Sequence, residues 1–116
     1  MRTIRADELE PAAMEMEGAQ GVAMRVLIGP ETGAPTFVMR LFEVEPGGHT
    51  PLHEHGWEHE VFVLAGEGEV ASPDGVSELR PGTAVFVAPG ETHQFINRGR
   101  ETLRFLCLIP AQERPC

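Results

Sequence analysis

The residues of this chain best suited to chemistry lie in a histidine-rich stretch between residues 47 and 60, which holds four of its five histidines. His53 and His55 are two residues apart, so on an extended strand both imidazoles would leave the same face. His59 follows after a short break that contains Gly56. Imidazole is a common ligand of first-row transition ions, so this spacing suits a metal site.

Any one of these histidines taken alone would more naturally be a structural residue. Several histidines clustered before a run of Val, Phe and Leu bring no evident packing benefit, and this favours a metal site. His49 is different, because its Gly-Gly-His-Thr-Pro setting resembles a turn and indicates a solvated side chain rather than a further ligand. Imidazole ligands accept manganese or iron, and also nickel, copper or zinc with rising affinity, so the residues alone do not select the metal.

The bulk composition limits the classes of partner. A chain of 116 residues is long enough for one hydrophobic core and short for two ordinary domains. The net charge of -9, from 18 acidic and 9 basic residues, argues against nucleic acid or an anionic membrane as the main partner. The N-terminal residues lack an apolar signal segment, so we expect a cytoplasmic protein. Cys107 and Cys116 do not indicate a disulfide framework.

Short apolar runs separated by 13 glycines and 10 prolines predict an all-β sandwich or barrel. We expect residues 1–20 to be an N-terminal segment of the same domain with at most one helical turn, 21–110 the barrel, and 111–116 a tail. Pro73-Asp74-Gly75 predicts a hairpin turn, and the regular turns suit a meander. Strands are predicted at residues 22–28, 36–45, 59–65, 69–71, 83–87, 93–97 and 102–109.

The second predicted strand, which Pro46-Gly47-Gly48 should end, carries a charge on its inward face. Glu43 and Glu45 mark one face as solvated, so the period of two places Arg40 on the interior face. A buried guanidinium needs a partner, so Arg40 either meets a buried carboxylate or holds an anionic substrate or an oxidant. The other residues predicted on the interior face are Val38, Phe42 and Val44.

The opposite face of the same strand is also apolar in part. Phe37, Met39 and Leu41 would lie there, beside the two glutamates. An apolar outer face is usually covered by another segment or by a second subunit. The pattern therefore raises the expectation of a homodimer.

Two motifs resemble those of the cupins, which are small double-stranded β-barrels of the jelly-roll type. The first cupin motif, G-x5-H-x-H-x3,4-E-x6-G, is matched by Gly47, His53, His55 and Gly66. In the second, G-x5-P-x-G-x2-H-x3-N, the matching residues are Gly82, Gly90, His93 and Asn97, with Ala88 at the position of the motif proline and Pro89 one place later. The resemblance implies a jelly-roll barrel with His93 as a further metal ligand.

The sequence differs from the first motif at the position of the acidic ligand. His59 lies at the motif's spacing of six residues before Gly66, whereas Glu60 is one residue short. A slip of one residue in a strand turns a side chain to the other face, so the spacing favours His59 as the ligand. Glu60 would replace it if a bulge at residues 56–58 redirected its side chain.

Further similarity at residues 25–29, 37–42, 57–60 and 105–110 resembles the small four-histidine manganese monocupins of thermophilic bacteria. That resemblance implies a homodimer and one divalent metal ion, manganese first and iron next, held by His53, His55, His59 and His93. It also implies an oxygenase-type oxidative cleavage of alkene-like, aromatic substrates with dioxygen or peroxide. Four neutral imidazoles in an octahedral arrangement would leave two positions open for substrate or oxidant.

The resemblance also supplies pocket residues. Phe105, Cys107 and Ile109 share one face of the last strand and line the metal pocket in the resembled family, with Arg40 as the inward polar group. A role in the hydrophobic core is the alternative for the Phe, the Cys and the Ile. Since cupins host many functions, a non-catalytic small-ligand-binding protein is the rival to an oxygenase. A sugar isomerase ranks last, because Arg40 is the only obvious inward group for a phosphate.

Overall fold

The computed structural model describes residues 1–111, so Cys116 and all but the first residue of the predicted tail lie outside the described chain. The structure is all-β, as predicted, with two short 3₁₀ turns at Ala6–Glu8 and Pro30–Thr32. The strands are β1 (Ala12–Ala13), β2 (Gln20–Ile28), β3 (Phe37–His49), β4 (His59–Ala65), β5 (Gly68–Ser72), β6 (Gly75–Leu79), β7 (Ala84–Val87), β8 (Gln94–Ile96) and β9 (Leu103–Pro110).

The strands form one curled sheet in the order β6-β5-β8-β3-β9-β4-β7, with β2 on β3 and β1 on β2. This order corrects the predicted meander, because β8 pairs with β5 and β3, whereas β7 pairs with β4. Consecutive strands pair in β1–β2, in β2–β3 and in the β5–β6 hairpin, which uses the predicted turn between Ser72 and Gly75. Local turn residues predict where a chain reverses, but the strand that lies opposite is chosen by the burial of both faces.

Strand β3 is longer than predicted. It continues through Pro46-Gly47-Gly48 to His49, which pairs with Gln20 on one side and Ile96 on the other. Pro46 is exposed, and Gly47 has a φ of +82° that favours glycine. A register shift between Gln20 and Val22 accommodates the irregular backbone, so β3 bends from one half of the curled sheet into the other.

The core lies on the concave face of the sheet. The interior residues of β3 are Val38, Arg40, Phe42 and Val44, as the period of two predicted. Strand β9 alternates buried and half-buried residues along its whole length. The Phe42 and Phe105 rings stack at 5.2 Å between centroids and 2° between planes, because these residues are direct partners in the β3–β9 ladder.

The convex face is apolar, although the chain itself covers part of it. Leu41 is only 1% exposed, whereas Phe37 is 60% exposed. The apolar surface continues across adjacent strands, because Leu41 pairs with Leu106 on β9 and Leu106 pairs with Phe62 on β4. We call the exposed part the convex apolar face. Its most exposed large residues are Phe37, Phe62, Leu64 and Phe86.

The N-terminal segment is tied to the sheet by an ionic and hydrogen-bonded link. Arg25 Nε donates to the carbonyl oxygen of Leu9 at 3.0 Å, and its Nη1 pairs with Glu43 Oε1. Arg104 Nε reaches the other oxygen of Glu43 at 3.0 Å. The segment thereby becomes one wall of a cleft described below. In residues 1–111, no helix has the length and apolar character needed to span a membrane.

The motif residues Gly66 and Asn97 have local structural roles. Gly66 has a φ of +83°, and a Cβ there would lie 2.4 Å from the carbonyl oxygen of Thr102. Asn97 is 1% exposed. Its Nδ2 donates to the carbonyl oxygens of Val44 and Glu101, and its Oδ1 accepts from Gly99 N–H, each at 2.8 Å. These contacts hold the loop after β8 against β3.

Candidate metal centre

Two of the predicted ligands face each other across a small bridge of antiparallel backbone. His53 and His93 form an isolated β-bridge. His53 N–H donates to His93 O at 3.1 Å, and His93 N–H donates to His53 O at 2.9 Å. The bridge brings together residues 40 positions apart in the chain, and their ring centroids lie 5.1 Å apart.

The alternation of β4 separates His59 from Glu60. His59 is 1% exposed on the concave face, whereas Glu60 is exposed and pairs with Phe86 and Leu108. Both residues lie in regular ladder register in β4, so their side chains leave opposite faces of the sheet. The carboxylate therefore lies on the side of the sheet away from the other histidines.

The four imidazoles form one cluster, although in residues 1–111 no group of three or more His, Cys, Asp or Glu side chains has metal-binding geometry. The rings are neighbours whose nitrogens would have to turn towards a common point to share an ion. The centroid distances are 4.4 Å for His53–His55, 5.4 Å for His55–His59, 4.8 Å for His59–His93 and 6.5 Å for His55–His93.

Their environment favours neutral imidazole. Burial, together with the positive charges of His55, His93 and Arg40, lowers the pKa of His53 to about 4. Burial also lowers the pKa of His93 against the opposing influence of Glu91. His93 Nδ1 lies 2.9 Å from the carbonyl oxygen of Glu91, so this nitrogen carries the proton. The lone pair of His93 is then on Nε2, which is the form in which a histidine ligates a metal.

His55 has an aromatic neighbour that the sequence did not assign to the site. Trp57 stacks on the His55 ring, with 4.3 Å between the ring centroids and 7° between the ring planes. The spacing of two residues across Gly56 is the signal that could have suggested the contact. His49 is a half-buried residue at the end of β3 and does not lie in the solvated turn that we expected, and its Nδ1 is 3.3 Å from Thr50 O and 3.4 Å from Gln94 Nε2.

Arg40 and Cys107 meet beside the cluster. Arg40 is 2% exposed, as its inward position predicted, and its Nη2 donates to Cys107 Sγ at 3.1 Å. The guanidinium carbon lies 5.0 Å from the centroid of the Phe42 ring, a cation–π distance. These contacts stabilise a positive charge inside an otherwise apolar barrel, next to His53, whose pKa it lowers.

Two spaces are lined by the predicted pocket residues. A void of about 10 Å³ is enclosed by three of the histidines together with Phe42, Thr50, Phe95, Phe105 and Cys107. A much larger cleft of about 700 Å³, which we call the N-terminal cleft, is bounded by Arg2, Ile4 and Leu9 of the N-terminal segment, by Met24 and Val26 of β2, and by Val38, Arg40 and Ile109. Phe105 and Cys107 thus lie at the void, whereas Ile109 lies at the cleft.

With this geometry in place, the family can be stated. The family model for the Cupin domain, Cupin_2, matches residues 40–109, more than half of the chain. The chain is a member of the cupin family. Its sequence is 32% identical to an oxalate-binding protein of Thermotoga maritima over 112 residues, 91% of each chain.

Two further proteins with different described activities are similar to this chain. A 1-methylthio-D-xylulose 5-phosphate methylsulfurylase of Rhodospirillum rubrum is 38% identical over 74 residues, and this cupin spans 47% of that relative's length. The polyketide cyclase RemF of Streptomyces resistomycificus superposes with a TM-score of 0.92 at 38% identity, covering all of this chain and 82% of the cyclase. The cupin fold is thereby shown, and these names differ in what they say the proteins do.

Proposed function

We propose that this cupin holds one divalent transition-metal ion on His53, His55, His59 and His93 and uses it to oxidise a small organic substrate. The observation that carries the proposal is the gathering of four largely buried imidazoles from three separate parts of the chain. We place manganese first and iron next on the resemblance alone, because the imidazole donor set accepts both and also accepts nickel, copper or zinc. An oxygenase-type cleavage of an alkene-like, aromatic substrate is the reaction we favour.

The donor set fits such an ion in three respects. The His53 imidazole is neutral near pH 7, because its pKa is lowered to about 4. Proton placement on His93 leaves Nε2 as its ligating atom. His59 is held inward by β4, so its orientation does not depend on a mobile loop. When bound by four imidazoles, a divalent ion supplies Lewis acidity and open positions for an oxidant or a substrate.

The residues around the cluster would shape the reaction. The stacked Phe42 and Phe105 rings exclude water from the barrel interior below the histidines. Ile109 and Val38 are buried apolar residues at the N-terminal cleft, where they would contact the body of an organic substrate. Arg40 would orient an anionic group of the substrate or the oxidant through its buried charge. Cys107 shares a hydrogen bond with Arg40 and would help to hold that guanidinium in place.

Metal analysis and turnover test this proposal together. Untagged protein is purified, its metal content per chain is measured, and the manganese and iron forms are incubated with styrene-like alkenes plus dioxygen or an alkyl peroxide. We expect about one ion per chain and carbonyl products. A protein that binds no transition ion, or that yields no product with either oxidant, would contradict the oxygenase.

A second candidate is a cupin that binds a small anion without converting it. The specific observation in its favour is the buried charge of Arg40 at the wall of the N-terminal cleft. The 32% identical relative named as an oxalate-binding protein adds to it. Calorimetry with oxalate and with cinnamate separates the candidates, because binding without turnover, lost in Arg40→Met, would support the ligand-binding protein.

We also infer a homodimer formed through the convex apolar face. Phe37, Phe62 and Phe86 are 60%, 44% and 63% exposed in the single chain. They lie on one surface, because β3, β9, β4 and β7 are adjacent in the sheet. A contiguous apolar patch of this kind on a strongly acidic protein is more stable when it is buried against an identical patch.

A further inference from the structure

We infer that Trp57 is a positioning residue of the metal centre, acting by stacking on the His55 imidazole. This inference rests on the proposed metal site. The two rings are 4.3 Å apart and inclined by 7°, so their planes are nearly parallel along the whole contact. Trp57 is half-buried and packs against the hydrophobic core, which gives it a fixed support for the smaller ring.

His55 has the least regular backbone setting of the four histidines. The backbones of His53 and His93 are held by their mutual bridge, and His59 is the first residue of β4. His55 lies in a segment without regular secondary structure, held at its carbonyl oxygen by Gly90 N–H at 2.6 Å. That bond holds the backbone, and the stack with Trp57 restrains the side-chain torsions of His55.

The form of the restraint matches what a ligand needs. Stacking fixes the plane of the His55 ring, yet it permits a half-turn about the Cβ–Cγ bond that exchanges the two ring edges within the same plane. A nitrogen can therefore be presented to an ion without breaking the contact. Residues that orient metal ligands in this way commonly change metal affinity by about 10-fold to 100-fold when they are removed.

The indole N–H of Trp57 is a second indication that packing alone does not explain a tryptophan at this position. Trp57 Nε1 is buried and has no hydrogen-bond acceptor within residues 1–111. A buried donor without an acceptor is costly, and a Phe would fill similar space without that cost. The wide indole face, which can cover the whole imidazole, is the property that a Leu or Met at this position would lack.

The experiment compares Trp57→Leu, Trp57→Phe and Leu79→Ala with the unmodified protein. Leu79 is 2% exposed in β6 and belongs to the core, so its truncation supplies a destabilised control away from the histidine rings. Each protein is loaded with Mn²⁺, and the rate of metal release to an excess of chelator is measured. We expect release about 10-fold faster or more from Trp57→Leu, with Trp57→Phe and Leu79→Ala close to the unmodified protein.

Four outcomes would overturn the inference. Equal release from Trp57→Leu and the unmodified protein would remove the positioning role. If Leu79→Ala releases the metal as fast as Trp57→Leu does, general destabilisation explains the effect. If Trp57→Phe releases it equally fast, the aromatic stack is not the cause of slow release. If the unmodified protein binds no ion, the metal centre fails, and the positioning role fails with it.

A measurement on metal-free protein separates the stack from the metal. Ring protons of His55 should show an upfield ring-current shift in the NMR spectrum that Trp57→Leu abolishes and Trp57→Phe partly keeps. Finding that shift in a protein without metal affinity would retain the stack and refute only the metal centre. Because Trp57 is the one tryptophan of the chain, its fluorescence should also respond when Cu²⁺ binds.

Discussion

Replacing His59 and Glu60 separately provides the sharpest test of the metal centre. The two residues are adjacent in β4, but His59 is 1% exposed on the concave face and Glu60 is exposed on the other. Structural sites with four ligands bind zinc with about 10–16 kcal/mol in total, so an equal share is about 3 kcal/mol per ligand. His59→Ala should therefore weaken binding by about 100-fold or more.

Glu60→Ala is the matched control, because it removes a carboxylate one residue away without touching the concave face. We expect its metal affinity to equal that of the unmodified protein and its stability to change by no more than about 0.5 kcal/mol. His59→Gln accompanies His59→Ala, since it preserves most of the side-chain volume and separates loss of the ligand from loss of packing.

The assay is isothermal titration of metal-free protein with Mn²⁺, supported by metal analysis of the purified variants and by thermal unfolding. Strong metal loss in both His59 variants with none in Glu60→Ala would support the all-imidazole site. The opposite pattern, in which Glu60→Ala loses the ion and His59→Ala retains it, would refute our use of strand alternation.

Three further predictions concern stability and assembly. In metal-free protein the pKa of His53 is lowered to about 4, so the unfolded chain binds more protons than the folded chain below pH 6.5. Stability should fall by about 1–2 kcal/mol between pH 6.5 and 4 after allowance for solvent screening, and thermal unfolding of His53→Gln should show a smaller fall. Asn97→Ala removes three hydrogen bonds of a buried amide and should cost about 2–4 kcal/mol in urea unfolding, whereas a cost below about 1 kcal/mol would show that water replaces them. Phe62→Glu puts a charge on the convex apolar face and should shift the protein from dimer to monomer in sedimentation. Glu58→Gln, at an exposed residue, is the control. An unchanged dimer would place the interface elsewhere.

Much of the concave side of the protein follows from the chain's local patterns. The inward positions of Arg40 and Phe42 on β3 and of Phe105 and Cys107 on β9 are those that the period of two predicts. The same rule separated His59 from Glu60. These predictions succeeded because a strand with one buried face has its register specified by which side chains must leave water.

The predicted meander was wrong, because turn residues do not indicate which strand lies opposite. Pairing of β8 with β5 and β3, in place of β7, cannot be read from Pro89-Gly90, because a turn specifies a reversal and not its destination. The run Pro46-Gly47-Gly48 looks like the end of a strand, yet ladder partners on both sides carry β3 through it to His49. Leu41 was expected on an outer face covered by another segment or by a second subunit, and the folded chain itself buries it.

The amino-acid sequence by itself determined the all-β class, the histidines that could serve as ligands and the face of β4 on which His59 lies, because these depend on residue type and on a period of two. Tertiary structure alone decided that His93 lies against His53, that Arg40 meets Cys107 and that Trp57 covers the His55 ring. The contacts of His93 and Arg40 join positions at least 40 residues apart. The Trp57 contact depends on an irregular loop whose path is set by packing on the core.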